Sequence, residues 1–355
     1  MYIQDKDLKF PKENFMSMKY QPYELKENFS FMRIKQWDDF TDGKFYVSFS
    51  GGLDSTVLSY IVTKCFNDYL EDEREIHLVF SDTGLEFPEI RKFTGTFANW
   101  LQNKFPKQEI ILETIKPKKN FRQVILDEGY PIISKENASK IRKLRHGNLS
   151  DRFRNYLLHG DERGKIGMLA KKWQFLVDAP FDTSERCCDV MKKAPFKKYM
   201  KETGRLPFIG ITQDESFMRE RQYNRTGCNV YDAKMPKSQP IGFWTKQDVL
   251  RYVVENDIPI CTVYGKIEQK PCGEYYTTGE ERTGCMFCGF GVQREKEPNR
   301  FQRMQKNYPK QYEFCMKPVS DGGLGMREVL NYINVPTQNE EIEGQMNVFD
   351  YIKDE

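Results

Sequence analysis

The chain has 355 residues, with 55 Lys and Arg against 52 Asp and Glu, for a formal net charge of +3. That length can bury a full core, as one large domain or two, and so small a charge excludes a global polycation field, leaving only a local patch for any contact with nucleic acid. There is no run of 18 apolar residues and no pattern of basic start, apolar stretch and small-residue cleavage site, so the expectation is a soluble, cytoplasmic chain with no membrane partner. Nine cysteines, two of them spaced Cys-x-x-Cys, point in such a chain to metal ligation or redox work rather than to a disulfide framework.

Residues 1 to about 28 are polar and aromatic without a steady period and are expected to form an arm, with a helix from Phe29 to Phe40. Lys44 to Ser50 is a short apolar run of strand character. It meets Gly51-Gly52 and then a helical stretch, Asp54 to Asn67, with apolar residues at Val57, Leu58, Ile61, Val62 and Cys65. A second strand, Glu75 to Phe80, runs into Ser81-Asp82-Thr83-Gly84, and a helix near 88 to 104 leads to a third strand, Glu109 to Ile115. Alternation of this kind predicts an α/β fold, a doubly wound and mainly parallel sheet with helices on both faces. Ligands on such sheets sit at the carboxyl ends of the strands, so the two glycine-containing turns are expected to line one crevice.

Residues 135 to 175 read as a helical insertion. From Lys135 to Lys172 there are 11 Lys or Arg and 4 Asp or Glu, interleaved with Phe153 and Tyr156 and followed by Trp173. Pro207 to Ile211 returns to the sheet, Trp244 to Asn256 is an amphipathic helix with Thr245 as its N-cap, and 270 to 284 reads as loop. The organisation expected is an arm and helix at 1–43, an α/β domain at 44–260 carrying the insertion, a cysteine-containing region at 261–335 and an acidic tail at 336–355.

The segment Ser50-Gly51-Gly52-Leu53-Asp54-Ser55-Thr56 is not a Walker A loop, since no Gly-Lys-Ser/Thr follows, nor a Gly-x-Gly-x-x-Gly fingerprint. The physics is related. Two glycines let backbone amides turn toward an anion with no Cβ in the way, Ser50, Ser55 and Thr56 add hydroxyls, and the helix start near Asp54 adds partial positive charge. The loop resembles the Ser-Gly-Gly-x-Asp-Ser signature of PP-loop ATP pyrophosphatases. Further on, Asp82-Thr83-Gly84-Leu85-Glu86-Phe87-Pro88-Glu89 resembles the Asp-Thr-Gly-x-x-Phe-Pro-Glu segment of the phosphoadenosine-phosphosulfate (PAPS) reductase family. Gly210 to Ser216 with Arg219 resembles that family's Gly-x-Arg-x-x-Glu-Ser-x-x-Arg segment, with Thr212 in place of the first arginine, and Pro240 to Val249 resembles its Pro-Leu-x-x-Trp-x-x-x-Asp-Val segment. The likeness runs from about 44 to 292.

The resemblance implies an adenine nucleotide alpha hydrolase-like fold and a site for an adenine nucleotide, either ATP with Mg²⁺ or adenylylsulfate (APS) or PAPS. It assigns to nucleotide binding Ser48, Ser50, Gly51, Gly52, Asp54, Ser55, Thr56, Asp82, Thr83, Gly84, Glu86, Gly210, Glu215 and Ser216, and to catalysis Asp54 and Arg219.

Cysteine pairs stand at Cys187-Cys188 and at Cys285 with Cys288, and four thiolates suffice for a [4Fe–4S] centre. Arg186 to Pro195 resembles the Cys-Cys-x-x-x-Lys-x-x-Pro segment of cluster-bearing APS reductases, and Thr283-Gly284-Cys285-Met286-Phe287-Cys288 resembles their Gly-Cys-x-x-Cys segment. In that reading Lys192, Lys193 and Arg282 supply positive charge near the cluster and an anionic substrate. A second set, Cys261, Cys272, Cys285 and Cys288, is compact in sequence and similar to the C-terminal cysteines of DNA-phosphorothioation relatives, and could hold zinc or a cluster.

Reductases of the family attack the sulfonucleotide with a thiolate in a Glu-Cys-Gly-Leu-His type segment. Here the nearest match is Glu313-Phe314-Cys315-Met316-Lys317, which lacks the Gly and His, so Cys315 is catalytic only if the chain is a reductase. The first expectation is therefore ATP-dependent adenylation in an iron–sulfur-dependent sulfur-transfer pathway, with a cysteine desulfurase or thiol protein as donor. The alternatives are APS or PAPS reduction to sulfite, and a non-catalytic nucleotide- and cluster-binding regulator. Nucleic acid is a candidate acceptor through residues 135–175, and Gln345 to Phe349 resembles the peptide that docks on the replication sliding clamp.

Overall fold

A computed structural model of the chain describes residues 18–162, 167–215 and 217–339. The clamp-like peptide at 345–349 and Ser216 lie outside the described residues, as does the side chain of Glu215. The elements begin with α1 (Tyr23–Thr41), β1 (Phe45–Ser48), α2 (Leu53–Lys64), β2 (Glu75–Ser81), α3 (Pro88–Lys104) and β3 (Glu109–Ile115). Then come α4 (Phe121–Glu128), β4 (Ile132–Ile133), α5 (Lys135–His146), α6 (Asp151–His159), α7 (Ala194–Thr203) and β5 (Leu206–Ile209). Next are α8 (Phe217–Thr226), β6 (Asn229–Val230), β7 (Lys237–Ser238), α9 (Lys246–Glu255), β8 (Ile267–Gln269) and β9 (Tyr275–Thr277). The last are β10 (Gly289–Phe290), α10 (Arg300–Asn307), α11 (Pro309–Met316) and α12 (Met326–Tyr332).

The chain divides into two units, one of residues 1–120 and 189–285, the other of residues 121–188 and 286–355. The first holds a six-stranded sheet in the order β3-β2-β1-β5-β7-β6, parallel throughout except for the β6–β7 pair. This is the doubly wound sheet that the alternating pattern predicts. Strand β2 is buried along almost its whole length, as a strand covered on both faces must be. The order reverses at β1, which lies between β2 and β5 with Val47 opposite both Leu78 and Phe208. A reversal of this kind opens a crevice at the carboxyl ends of the strands. Aromatic side chains fill the core beneath it: Phe45 stacks on Phe66 at 5.3 Å and meets Phe208 edge-on at 5.1 Å. Each such ring removed from water contributes roughly 1.5–3 kcal/mol.

In the second unit β4 pairs in parallel with β10, Ile132 opposite Gly289 and Ile133 opposite Phe290. Arg122 donates to the carbonyl of Val319 at 2.8 Å, and the Tyr130 hydroxyl to that of Leu324 at 2.9 Å. These long-range bonds tie the segment before the insertion to the C-terminal segment, and the insertion falls in the same unit, whereas the sequence placed the insertion in the first domain and a boundary after 260. The stretch 270–284, expected as loop, contains β9, which forms an antiparallel hairpin with β8. No helix among the described residues is long and apolar enough to cross a membrane.

Candidate nucleotide-binding site

The loop between β1 and α2 is shaped by its own hydroxyls. Ser55 Oγ donates to the Gly52 carbonyl at 2.9 Å and accepts from the Ser50 amide at 3.1 Å, and it lies 3.0 Å from Ser50 Oγ. Thr56 Oγ1 donates back to the Gly52 carbonyl at 3.0 Å, so its hydroxyl serves the turn rather than a ligand. At the end of β5, Gly210 passes so close to the first turn of α2 that a Cβ there would stand 2.8 Å from the Asp54 carbonyl oxygen. Only a residue without a side chain lets that strand end approach the helix N-terminus.

Over this loop opens a cavity of about 590 Å³, within the usual range for small-molecule sites. Ser50, Gly52, Asp54, Ser55, Gly210 and Arg219, all expected from the sequence, line it. Thr212, Asp214, Lys246, Tyr264, Arg282, Thr283 and Gly284 line it too. Three carboxylates, Asp54, Asp214 and Glu281, face three cations, Arg219, Lys246 and Arg282. Burial lifts the Asp54 carboxyl from 3.8 to about 6, against the opposing pull of Arg219, Arg282 and Lys246. Burial likewise lowers Arg219, which the Asp54 charge offsets and the nearby Arg282 reinforces, and it lowers Lys237, whose neighbour is Arg219. Cations crowded together in this way gain by taking an anion. Thr212 sits where the family segment has its first arginine, and a guanidinium reaches the cavity instead from Arg282.

A second cavity of about 130 Å³ shares Ser50, Thr283 and Gly284 with the first and is lined also by Ser48, Phe80, Ser81, Glu86, Phe87, Lys192 and Phe196. Ser81 Oγ is buried there with no protein partner. Glu86 is already engaged, accepting from the Thr83 hydroxyl at 2.6 Å and from the Thr83 and Leu85 amides at 3.1 and 3.2 Å. Asp82 accepts from the Gly84 amide at 3.2 Å and from Arg91 at 2.7 Å. The structure therefore gives Asp82, Thr83 and Gly84 a part in the fold of the β2 turn, and neither cavity is lined by them or by Gly51 and Thr56.

Among the cysteines, Cys187 and Cys188 place their sulfurs 3.9 Å apart. In the same unit burial raises the Cys288 thiol, which the Phe290 amide, Arg300 and Lys135 counteract, with Cys188 among its neighbours. Arg300 also donates to the Cys288 carbonyl at 2.9 Å. Cys285 lies three positions before Cys288. The second set is dispersed: Cys261 is 1% exposed in the core, and Cys272 is exposed between β8 and β9. Among the described residues no three His, Cys, Asp or Glu side chains converge as ligands of a single metal ion. Cys315 has no exposed surface, and burial pushes its thiol far up. Cys65, in the turn Cys65–Tyr69 that follows α2, is likewise core, in keeping with the apolar face of the helical stretch Asp54 to Asn67 read from the sequence.

The family model for the phosphoadenosine phosphosulfate reductase domain matches residues 44–163 and 160–288, well over half of the chain. The chain belongs to the PAPS reductase domain family. An uncharacterized protein of Methanocaldococcus jannaschii is 25% identical over 337 residues, covering 92% of this chain and 60% of the relative. A second uncharacterized protein of that organism is 24% identical, covering 75% of this chain and 39% of the relative. A tRNA(Ile)-lysidine synthase of Persephonella marina is 27% identical over 199 residues, 53% of this chain and 42% of the synthase. The chain thus spans between about two fifths and three fifths of the length of these relatives. The crystal structure of phosphoadenylyl-sulfate reductase from Candida auris, a phosphate complex, aligns with a TM-score of 0.33 and 15% identity, over 71% of this chain and 90% of that one.

Proposed function

We propose that this PAPS-reductase-family chain binds ATP over the Ser50–Ser55 loop and adenylates an acceptor oxygen in a sulfur-transfer reaction. The observation that carries the reading is the meeting of that loop with Arg219, Arg282 and Lys246 around one cavity. An acceptor oxygen attacks the α-phosphorus. The bond to the bridging oxygen of the β-phosphate breaks, and pyrophosphate leaves with the electron pair. The outer sulfur of a persulfide on a desulfurase-type donor protein then attacks the activated centre, AMP leaves with the acceptor's oxygen, and a second thiolate of the donor cleaves the S–S bond, forming a disulfide and leaving the sulfur on the acceptor. The three cations offset the charge that gathers on the departing pyrophosphate, in a geometry set before reaction.

Asp54, one of three carboxylates lining the cavity, is the one proposed to hold a Mg²⁺ bound with the phosphates; the ion would supply Lewis-acid neutralisation there. Cys187, Cys188 and Cys288, with Cys285, are the thiolates proposed to hold a [4Fe–4S] cluster. Four thiolates, one per iron, are the number a cubane takes, and the Phe290 amide, Arg300 and Lys135 beside Cys288 would offset its negative charge. A cluster would supply a site for handling sulfur or electrons. The buried Cys315 favours adenylation over sulfonucleotide reduction.

Nucleic acid is the acceptor class proposed. Phe153 and Phe175 are 40% and 43% exposed, Lys172 lies 5.1 Å from the Trp173 ring, and Arg152 and Lys171 are exposed beside them. Aromatic faces with nearby cations stack and hold bases. The relative named as a tRNA(Ile)-lysidine synthase is in keeping with such an acceptor.

The test is product analysis under anaerobic conditions, with ATP and Mg²⁺ in one arm and APS or PAPS with a thiol in the other. AMP and pyrophosphate from ATP, increased by an RNA or DNA acceptor, are expected. Sulfite from APS or PAPS with ATP untouched would establish the reductase instead. Tight ATP binding without turnover under any acceptor would leave the regulator.

A further inference from the structure

The segment just before Cys285 is tied to the glycine loop by a side chain that no motif contains. Tyr264, 3% exposed, closes the short turn Thr262–Tyr264. Its hydroxyl accepts from the Leu53 amide at 3.2 Å, at the first residue of α2, and shares a 2.6 Å hydrogen bond with Thr283 Oγ1. A Cβ on Gly52 would stand 3.1 Å from Thr283 Oγ1 and 3.3 Å from Tyr264 Oη, so both hydroxyls press directly on the loop. Thr283 and Gly284 border the larger and the smaller cavity alike.

Burial pushes the Tyr264 hydroxyl up to about 12, so it keeps its proton at any working pH. It accepts from Leu53, and either hydroxyl can donate in the bond it shares with Thr283. With Tyr264 as donor the chain runs from the Leu53 amide to Tyr264 to Thr283, and the Thr283 proton remains for a ligand. A phosphate oxygen at the start of α2 competes for the Leu53 amide, and a charged acceptor forms the stronger bond. Binding there therefore acts on the partner that holds Thr283.

We propose that Tyr264 is a positioning residue: it fixes the Thr283–Gly284 strap over the glycine loop, so that a nucleotide is clamped beneath the strap and its presence is felt along the chain at Cys285. The inference rests on the nucleotide reading above. It adds a coupling device to that reading, between the phosphate site and one of the candidate cluster ligands.

The test uses the full chain, purified anaerobically, with ATP as probe. Tyr264→Phe and Thr283→Val each remove one hydroxyl, and Thr283→Ser keeps it. Calorimetry gives the ATP affinity, and amide hydrogen exchange of the peptide covering 279–285 reports the strap. In the wild type and in Thr283→Ser, ATP is expected to slow exchange in that peptide about threefold or more. Tyr264→Phe and Thr283→Val are expected to bind ATP within about tenfold of wild type yet lose the protection, and the double variant to be no worse than either single change. Protection that survives in both single variants, or additive losses in the double variant, would overturn the coupling. Failure of the wild type to bind ATP would instead remove the nucleotide reading, a distinct result. Melting by circular dichroism identifies a variant that fails to fold, and the other variant then carries the test.

Discussion

At the scale of single residues, Asp54 is the group whose environment is most at odds with its charge. Burial raises its carboxyl to about 6 although Arg219, Arg282 and Lys246 oppose the shift. A carboxyl raised on folding binds a proton that the unfolded chain has already lost. Its cost is absent below about pH 4, grows through the window up to 6, and is fully present above it, on the order of 2–3 kcal/mol at neutral pH. Asp54→Asn resembles the protonated state. The variant is expected to melt several degrees above wild type at pH 7.5, with the gap closing as the pH falls to 5, while ATP binding with Mg²⁺ weakens. A melting difference independent of pH would contradict this account. The loop residues Ser50 to Ser55 were legible in the sequence because an anion cradle is built from consecutive amides and hydroxyls. Arg282 was read there only as positive charge beside an anionic substrate, and Lys246, Tyr264 and Thr283 were not read as part of the site, because only the tertiary fold brings them to that loop. Cys315 shows the converse: a plausible neighbouring lysine in sequence says nothing of the burial that silences the thiol.

At the scale of elements, β1 and β2 were legible because buried parallel strands are continuous apolar runs, and β3, half-buried at the sheet edge, was legible from its Ile110-Ile111-Leu112 run. The hairpin of β8 and β9 was not, since Glu268 and Gln269 are exposed and its composition is that of a loop. The start of α9 was read correctly from Thr245. It carries a capping box in which Asp248 Oδ2 accepts from the Thr245 amide at 2.6 Å and Thr245 Oγ1 accepts from the Asp248 amide at 3.1 Å. What the sequence could not show is that the same carboxylate holds Lys26 of α1, 2% exposed, at 2.5 Å. Asp248→Ala leaves a buried ammonium without its counter-charge and unmakes the cap, at a cost of about 3–5 kcal/mol. Lys26→Met leaves a carboxylate that the cap still satisfies, and its cost is expected to stay below about 2 kcal/mol. Urea unfolding followed at 222 nm orders the two variants, and equal losses would show that α1 is held by its apolar contacts rather than by this pair.

At the scale of the whole molecule, the chain passes from one unit to the other after residues 120, 188 and 285, so each cysteine pair stands at or beside a crossing point. The sequence drew its boundary at 260 instead, because a two-residue pairing such as β4 with β10 leaves no periodic signal. The competing ligand sets make opposite predictions about which cysteines matter. If Cys187 and Cys188 with Cys285 and Cys288 carry the iron, Cys187→Ser and Cys188→Ser should each lower the iron content of anaerobically purified protein severalfold and bleach its brown absorbance. Cys272→Ser, on an exposed hairpin turn, should leave both unchanged. Cys261→Ser puts a hydroxyl into an apolar core and is expected to lower the melting temperature whatever the metal does, so iron per folded protein, not total iron, is the quantity to compare. Loss of iron in Cys272→Ser with Cys187→Ser unaffected would transfer the site to the local set, and the exposed turn would then have to close on Cys285 and Cys288 to make it. Zinc in place of iron in every variant would leave the adenylation reading standing and remove the cluster from it, because the cavity over Ser50 to Ser55 is built from residues that neither set contains.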